Sequence, residues 1–186
     1  MPVSDIVSSA SQQMKKAVEH LTQQLARVRT GRASATMLDN VKVEYYGAPT
    51  PISQVGGISA PDARTLVIQP WDASTVGAIE RAILAANLGI TPQSDGQVIR
   101  ITVPPMTEER RKDIVKQCKK MAEEAKLVVR NVRRDANEEL KVAEKKEHYS
   151  EDERKRGEED VQKQTDKYVK EIDDVVATKE KEILED

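Results

Sequence analysis

Phenylalanine is absent from this sequence of 186 residues, and the aromatic residues that remain are four tyrosines and one tryptophan. Hydrophobic residues make up only 38% of the chain, and charged residues make up 33%. A soluble globular protein averages about 25% charged residues. Because so little apolar surface is available for burial, we expect narrow apolar seams between elements and not one large core.

Cysteine and histidine are almost absent as well. The single Cys118 excludes an intramolecular disulfide, fits a reducing compartment and lies among apolar residues, where a thiol is inert. His20 and His148 have no cysteine or carboxylate at metal-ligand spacing. Gly56-Gly57 lacks the Lys-Ser/Thr of a nucleotide-binding loop, and no Gly-x-Ser-x-Gly motif occurs. The sequence therefore predicts a protein that is not an enzyme and holds no metal or cofactor.

Targeting signals are also lacking. No apolar stretch approaches the roughly 20 residues that span a bilayer. The N-terminal residues have neither the cationic and apolar regions of a secretory signal nor an arginine-rich import sequence. We therefore expect a cytoplasmic protein without a membrane partner.

The composition changes abruptly near Gly31 and again near Pro104. Residues 31–104 contain seven of the eight glycines and six of the eight prolines but few charged side chains. This change predicts a small, turn-rich domain over 31–104, inserted into a second domain that is formed by residues 1–30 and 105–186.

The chain passes between these domains twice, and we call these two connecting segments the crossings. They contain residues that differ in backbone flexibility. Glycine permits unusual dihedral angles, whereas consecutive prolines stiffen a linker. A hinge and a fixed corner between packed domains are both compatible with this composition. The candidate hinge residues are Thr30, Gly31, Arg32, Pro104 and Pro105.

Apolar residues recur every three or four positions in the flanks, which predicts three helices. The second helix, over residues 108–147, would be roughly 60 Å long. Ser150 and Glu153 have the spacing of a capping box at the start of the third helix. Long polar helices of this kind bury only a seam, so we predict a three-helix bundle. On the second helix the predicted seam includes Met121, Val128 and Val132.

Short β-branched runs alternate with turns in the inserted domain. Residues 41–45, 65–69 and 98–103 have strand composition, and residues 74–87 have the pattern of a short helix. The fold class is therefore α+β, with a small β/α/β domain inserted between the first and second long helices. We interpret Tyr45, Tyr46 and Trp71 as core residues of this domain, with stacking platforms for bases as the alternative.

The net charge of −2 conceals two opposed segments. Residues 110–134 contain ten basic and three acidic side chains, a net charge of +7, whereas residues 148–186 have a net charge of −6. On a helical wheel most of the basic residues lie opposite the predicted seam. They suit contacts to an RNA backbone, although a solvated helix face is the plainer interpretation. The candidate RNA-binding residues are Arg110, Arg111, Lys112, Lys116, Lys119, Lys126, Arg130, Asn131, Arg133 and Arg134, with Arg29 and Arg32 near the first crossing.

Four segments together resemble the bacterial ribosome recycling factor family, in that family's order and spacing. They are Val28-Arg-Thr-Gly-Arg-Ala-Ser34, Val43-Glu-Tyr-Tyr-Gly47, Pro104-Pro-Met-Thr-Glu-Glu-Arg-Arg-Lys112 and Val129-Arg-Asn-Val-Arg-Arg-Asp-Ala-Asn137.

The resemblance implies an L-shaped, tRNA-sized monomer whose smaller domain swings about a hinge. It implies binding to the post-termination 70S ribosome, where the bundle holds large-subunit ribosomal RNA at the intersubunit face. Together with elongation factor G and GTP, such a protein splits the subunits and releases messenger RNA and deacylated tRNA. By family pattern, Arg130 and Arg133 are the central RNA contacts, and Arg29, Gly31 and Arg32 also act at the ribosome. The alternative from another class is a helical adaptor or chaperone that binds proteins through its bundle.

Overall fold

The computed structural model describes residues 2–185, and the chain divides into two compact units. One comprises residues 2–28 and 112–185, and the other comprises residues 29–111. Met1 and Asp186, the ends of the predicted first domain, lie outside the described residues. The unit boundaries fall outside the predicted limits of 31–104, so the residues that we assigned to the two crossings belong to the second unit.

Ten helices and strands, with three short 3-10 turns between them, make up the described chain. In chain order they are α1 (Val3–Ala26), β1 (Lys42–Tyr45), β2 (Ala48–Pro51), β3 (Gly56–Asp62), β4 (Thr65–Pro70), α2 (Val76–Ala85), β5 (Thr91–Ser94), β6 (Ile99–Thr102), α3 (Glu108–Glu147) and α4 (Glu151–Glu185).

Helices α1, α3 and α4 form the bundle of the first unit, as the apolar periodicity predicts. Their buried residues lie along one stripe of each helix, and Met14, Leu140 and Ile172 are completely enclosed. Gly157 of α4 has no room for a side chain, because a Cβ atom there would lie 2.8 Å from Val3 Cγ1 of α1 and 3.0 Å from Leu140 Cδ2 of α3.

The seam of α3 differs from the predicted one by about one residue. Val129 and Ala122 are buried, whereas Val128 is 48% exposed and Met121 and Val132 are only half-buried. The sequence offers two adjacent apolar rows on this helix, and the bundle buries the row that is rich in alanine.

The junction between α3 and α4 is fixed by the predicted capping box. The Glu153 backbone N–H donates to Ser150 Oγ at 3.1 Å, and the Ser150 N–H donates to Glu153 Oε2 at 3.3 Å. One residue later, the Arg154 guanidinium bonds Glu158 at 2.8 Å and also contacts Glu144 of α3. These contacts hold the start of α4 against the end of α3.

The second unit contains two antiparallel sheets and one helix. Strands β1 and β2 form a hairpin, and the other four strands are ordered β3-β4-β6-β5. Helix α2 buries Val76, Ile79 and Ile83 in the core of this unit, which also contains Leu66 and Ile68 of β4. The three predicted strands and the predicted helix are present. Strands β2, β3 and β5, which contain proline or glycine, were not predicted from composition.

The aromatic residues of the second unit are not all in its core. Tyr45 is half-buried and packs against the core, whereas Tyr46 is 85% exposed and Trp71 is 72% exposed. Core placement was therefore the wrong interpretation for Tyr46 and Trp71. The apolar volume of the core is supplied by isoleucine, leucine and valine, so the unit does not need these two rings for its stability.

Candidate nucleic-acid interface

One face of α3 is basic and exposed to solvent. With about 100° per residue, the exposed basic residues lie roughly 80° to 180° away from Val129, the centre of the buried seam. Over 112–134 this face is about 33 Å long. We call it the α3 basic face. The predicted residues on it are Lys112, Lys116, Lys119, Arg130, Asn131 and Arg134.

Two of the predicted contacts lie at the edge of α3 that faces α4. The Lys126 ammonium lies 2.6 Å from the Asp173 carboxylate, and its side chain is only 15% exposed. The Arg133 guanidinium donates to Gln162 Oε1 at 3.3 Å. The hydrogen bond to Asp173 raises the pKa of Lys126, so its charge is retained but partly neutralised. The prediction that both residues lie opposite the seam is wrong, because α4 packs against this flank.

Arg110 and Arg111 lie in the first turn of α3 and are grouped with the second unit. Arg110 is exposed, and its backbone N–H is capped by Thr107 Oγ1 at 3.1 Å. Arg111 is half-buried, and its Nε is enclosed without a hydrogen-bond partner among the described residues. On the helical wheel neither residue falls on the α3 basic face.

The remaining predicted site residues belong to the second unit. Arg29 and Arg32 are exposed, and Gly31 lies buried between them in the chain. Gly31 has a φ of +91°, and the Arg64 guanidinium donates to its carbonyl oxygen at 3.3 Å. A Cβ at Gly31 would lie 3.1 Å from Met106 Cε, so the two predicted crossing segments approach each other here. Pro104 and Pro105 are exposed, and Thr30 is half-buried.

Further residues on the α3 basic face were missed as candidate contacts. Lys120 is exposed on it, and Lys141 and Lys145 extend it toward the end of α3. Leu127 is 56% exposed among these basic residues, so the face also offers an apolar side chain. The helical wheel continued beyond residue 134 identifies Lys141 and Lys145, and a wheel centred on Val129 identifies Lys120.

Positive charge predominates on this face. Asp113 and Glu123 are exposed acidic residues on it, Glu138 lies on its extension, and the Glu123 carboxylate lies 3.7 Å from the Lys126 ammonium. An extended positive face of this length matches the charge spacing of a nucleic-acid backbone. Arginine adds planar, bidentate contacts to phosphate, so Arg130 and Arg134 are its most specific groups.

Other kinds of site have little support among residues 2–185. No group of three or more histidine, cysteine, aspartate or glutamate side chains is placed to hold a metal ion in this range. Within the same residues no helix is sufficiently long and apolar to cross a membrane. Cys118 is fully buried, and that burial raises the pKa of its thiol, as expected for an unreactive side chain.

Comparison with known proteins gives full-length matches. The sequence model of the family described as "Ribosome recycling factor" matches residues 21–184. The chain is 52% identical over 183 residues to the ribosome-recycling factor of Syntrophomonas wolfei, covering 98% of this chain and 99% of that protein. It is 55% identical over 181 residues to the corresponding protein of Halalkalibacterium halodurans, with 97% and 98% of the two chains covered.

Solved structures give the same result. A solution structure of the ribosome recycling factor matches with a TM-score of 0.74 and 48% identity, covering 99% of this chain and 98% of that one. A Thermus thermophilus ribosome recycling factor, placed with Escherichia coli elongation factor G on a post-termination complex, matches with a TM-score of 0.63 and 44% identity over 99% and 100% of the two chains. This chain belongs to the ribosome recycling factor family.

Proposed function

We propose that this protein recycles ribosomes after termination. It binds the post-termination 70S ribosome at the intersubunit face of the large subunit. With elongation factor G and GTP it promotes dissociation into subunits, with release of messenger RNA and deacylated tRNA. The observation that carries this proposal is the exposed α3 basic face in a chain that matches the family over nearly its full length. The family match also favours this function over that of a helical adaptor.

The α3 basic face supplies the contacts to large-subunit ribosomal RNA. Its lysines and arginines neutralise phosphates, and the neutralisation releases bound cations and makes the affinity depend on salt. Arg130 and Arg134 orient the helix by bidentate contacts, and Asn131 donates further hydrogen bonds. Lys126 and Arg133 support this surface from its edge, because both are already engaged with α4.

The protein acts as a binding factor and catalyses no reaction of its own. The free energy for dissociation comes from GTP hydrolysis on elongation factor G, so this chain requires no cofactor. It works as a cytoplasmic monomer. The neighbouring structure with elongation factor G on the post-termination complex supports the choice of partner.

The two chain crossings serve as the hinge of the proposed mechanism. Residues 30–32 and 104–105 lie in the non-helical segments that follow α1 and precede α3, so we place the bending there and not within α3, which is one continuous helix from Glu108. The family resemblance supports a movement of this kind. A disulfide that links the two units is expected to preserve ribosome binding and to stop subunit splitting, and undiminished splitting would remove the hinge from the mechanism.

A splitting assay tests the proposed function. Post-termination 70S ribosomes are incubated with the protein, elongation factor G and GTP, and the subunits are separated on sucrose gradients. We expect conversion to subunits that requires all three components. Arg130→Glu is expected to abolish most of it, because one reversed charge replaces attraction to phosphate by repulsion.

The matched control is Lys170→Glu, which makes the same change in charge at an exposed position of the acidic helix α4. We expect this variant to split ribosomes as the parent protein does. If the parent protein produces no subunits, or if both variants are equally impaired, the proposed function or the proposed surface is wrong.

A further inference from the structure

Tyr46 and Trp71 are two exposed aromatic residues on the second unit. Tyr46 is 85% exposed and Trp71, the only tryptophan of the chain, is 72% exposed. The Tyr45 and Tyr46 rings meet edge to face, with centroids 4.3 Å apart, so Tyr46 is held in place from one side. The other face of Tyr46 is open to solvent. Large aromatic side chains at this exposure are a common feature of binding surfaces.

The backbone holds Tyr46 in this position against its own preference. Tyr46 and Gly47 are the two central residues of the β1–β2 hairpin, with φ values of 50° and 78°. Positive φ at both positions is the mark of a type I′ turn, in which Asn-Gly is the favoured pair. A bulky aromatic residue at positive φ is strained. A strained residue that leaves its ring in solvent is more readily explained by binding than by stability.

A fixed carboxylate lies beside this ring. Asp72 follows Trp71 in the chain, and its Oδ1 accepts hydrogen bonds from Ser74 N at 3.0 Å and Ser74 Oγ at 2.7 Å. The Tyr46 hydroxyl is close enough to the Asp72 carboxylate to lower its pKa as well. These bonds, with Ser74 foremost, lower the pKa of Asp72. The lowered pKa keeps the carboxylate ionised. Because a carboxylate has about four acceptor sites, at least one remains for another donor.

An exposed tyrosine ring beside an ionised carboxylate, with an exposed tryptophan next to that carboxylate in the chain, suits a cation better than a phosphate. The negative face of an aromatic ring binds a guanidinium or ammonium group, and the carboxylate adds charge of the right sign. A nucleic-acid backbone would meet repulsion from Asp72. We propose that Tyr46, Trp71 and Asp72 form a docking site for an arginine-containing segment of a protein partner. This site is separate from the α3 basic face, and the proposal does not depend on RNA binding by that face.

Trp71 provides a local readout of binding. The full-length protein is titrated with nona-arginine peptide at physiological salt while tryptophan emission is recorded. We expect a saturable change in emission, because the peptide contacts Trp71 itself. Peptide that binds the acidic surface of α4 leaves this signal unchanged.

Two variants that respect local structure separate binding from folding. Tyr46→Asn removes the ring and installs the pair that the turn prefers, and Asp72→Asn removes the charge but keeps a side chain that can cap the 3-10 turn Ala73–Thr75 before α2. Each is expected to raise the dissociation constant at least about threefold, the effect of losing one exposed cation–π or ionic contact. Leu84→Ala, at another large exposed apolar residue of the second unit, is expected to change it by less than about 1.5-fold.

The far-ultraviolet circular dichroism spectrum confirms that each variant is folded before it is compared. An emission that does not change on addition of nona-arginine would overturn the proposal, as would unchanged dissociation constants in both variants. If an oligouridine of nine nucleotides alters Trp71 emission as tightly as the peptide, the site is a base-stacking platform and the proposal is wrong.

Discussion

At the scale of single residues, Gly157 of α4 lies at a point of tight packing against side chains of α1 and α3. A Cβ atom at this position would lie 2.8 Å from Val3 Cγ1 and 3.0 Å from Leu140 Cδ2, and both distances are shorter than ordinary van der Waals contact. In a closely packed interior, even one added methyl group displaces the neighbouring side chains. Glycine is therefore present in α4 because of packing, despite its low helix propensity.

Gly157→Ala is predicted to lower the free energy of unfolding of the bundle by about 1–3 kcal/mol through overpacking. The gain of up to about 1 kcal/mol in helix propensity only partly offsets this loss. The measurement is urea unfolding followed by circular dichroism at 222 nm. Gly77→Ala in α2 is the control, because no atom lies within 4 Å of the new Cβ. If Gly157→Ala is as stable as the parent protein, the tight packing is refuted.

At the scale of elements, polar contacts align α3 with α4. The Lys126–Asp173 pair at 2.6 Å and the Arg133–Gln162 hydrogen bond at 3.3 Å join the two helices along the flank of the buried seam. A narrow apolar seam determines the relative rotation of two long helices only weakly. Polar pairs such as these help to fix that rotation. The same contacts withdraw Lys126 and Arg133 from the centre of the α3 basic face.

The Lys126–Asp173 pair predicts a dependence of stability on alkaline pH. The pKa of Lys126 is raised in the folded protein, so its contribution is complete below the unfolded value of about 10.4 and is lost as the pH rises through the raised folded value. The stability difference between the parent protein and Lys126→Met should be constant from about pH 8 to about pH 10 and shrink above that. Urea unfolding across this range measures it.

Lys120→Met is the control for this prediction, because Lys120 is exposed on the same helix. We expect the stability difference between the parent protein and Lys120→Met to stay constant over the same alkaline pH range. If the difference between the parent protein and Lys126→Met stays constant at every alkaline pH, the ion pair does not contribute to the stability of the folded protein.

The elements that the sequence predicts best are those with strong local signals. The helices follow from periodicity, and the capping box of Ser150 and Glu153 is confirmed with both hydrogen bonds. Strands β2 and β5 could not be predicted, because Pro49, Pro51 and Pro92 obscure a conformation that pairing with β1 and β6 imposes.

The candidate site was predicted only in part, for a related reason. Two apolar rows on α3 made the seam ambiguous by one residue, and one helix viewed alone does not reveal that Lys126 faces Asp173. The exposure of Arg130 and Arg134 agrees with their proposed role, and the contacts themselves remain predictions. Tyr46 was wrongly predicted to be a core residue. Its positive φ is imposed by the β1–β2 hairpin, and a tyrosine in the sequence does not indicate a turn of this kind.

At the scale of the whole molecule, a net charge of −2 conceals a strongly basic segment of α3 and an acidic α4. In the proposed function the basic segment contacts ribosomal RNA, and we expect the acidic segment to repel RNA from the rest of the bundle. A near-neutral total limits nonspecific adsorption, while the local charge gives affinity. The proposed binding to RNA therefore depends on where the charges lie in the protein and not on its net charge.

The measurement that tests this claim most directly is the salt dependence of binding to large ribosomal subunits. Each phosphate contact contributes about −0.7 to −0.9 to the slope of log affinity against log salt concentration. The Arg130→Gln, Arg134→Gln double variant should therefore have a slope less negative by about 1.5 and weaker binding at every salt concentration. The Lys163→Gln, Lys170→Gln double variant removes the same charge from exposed positions of α4 and should behave as the parent protein. Equal slopes for the parent protein and the α3 variant, or equal losses in both variants, would contradict the account.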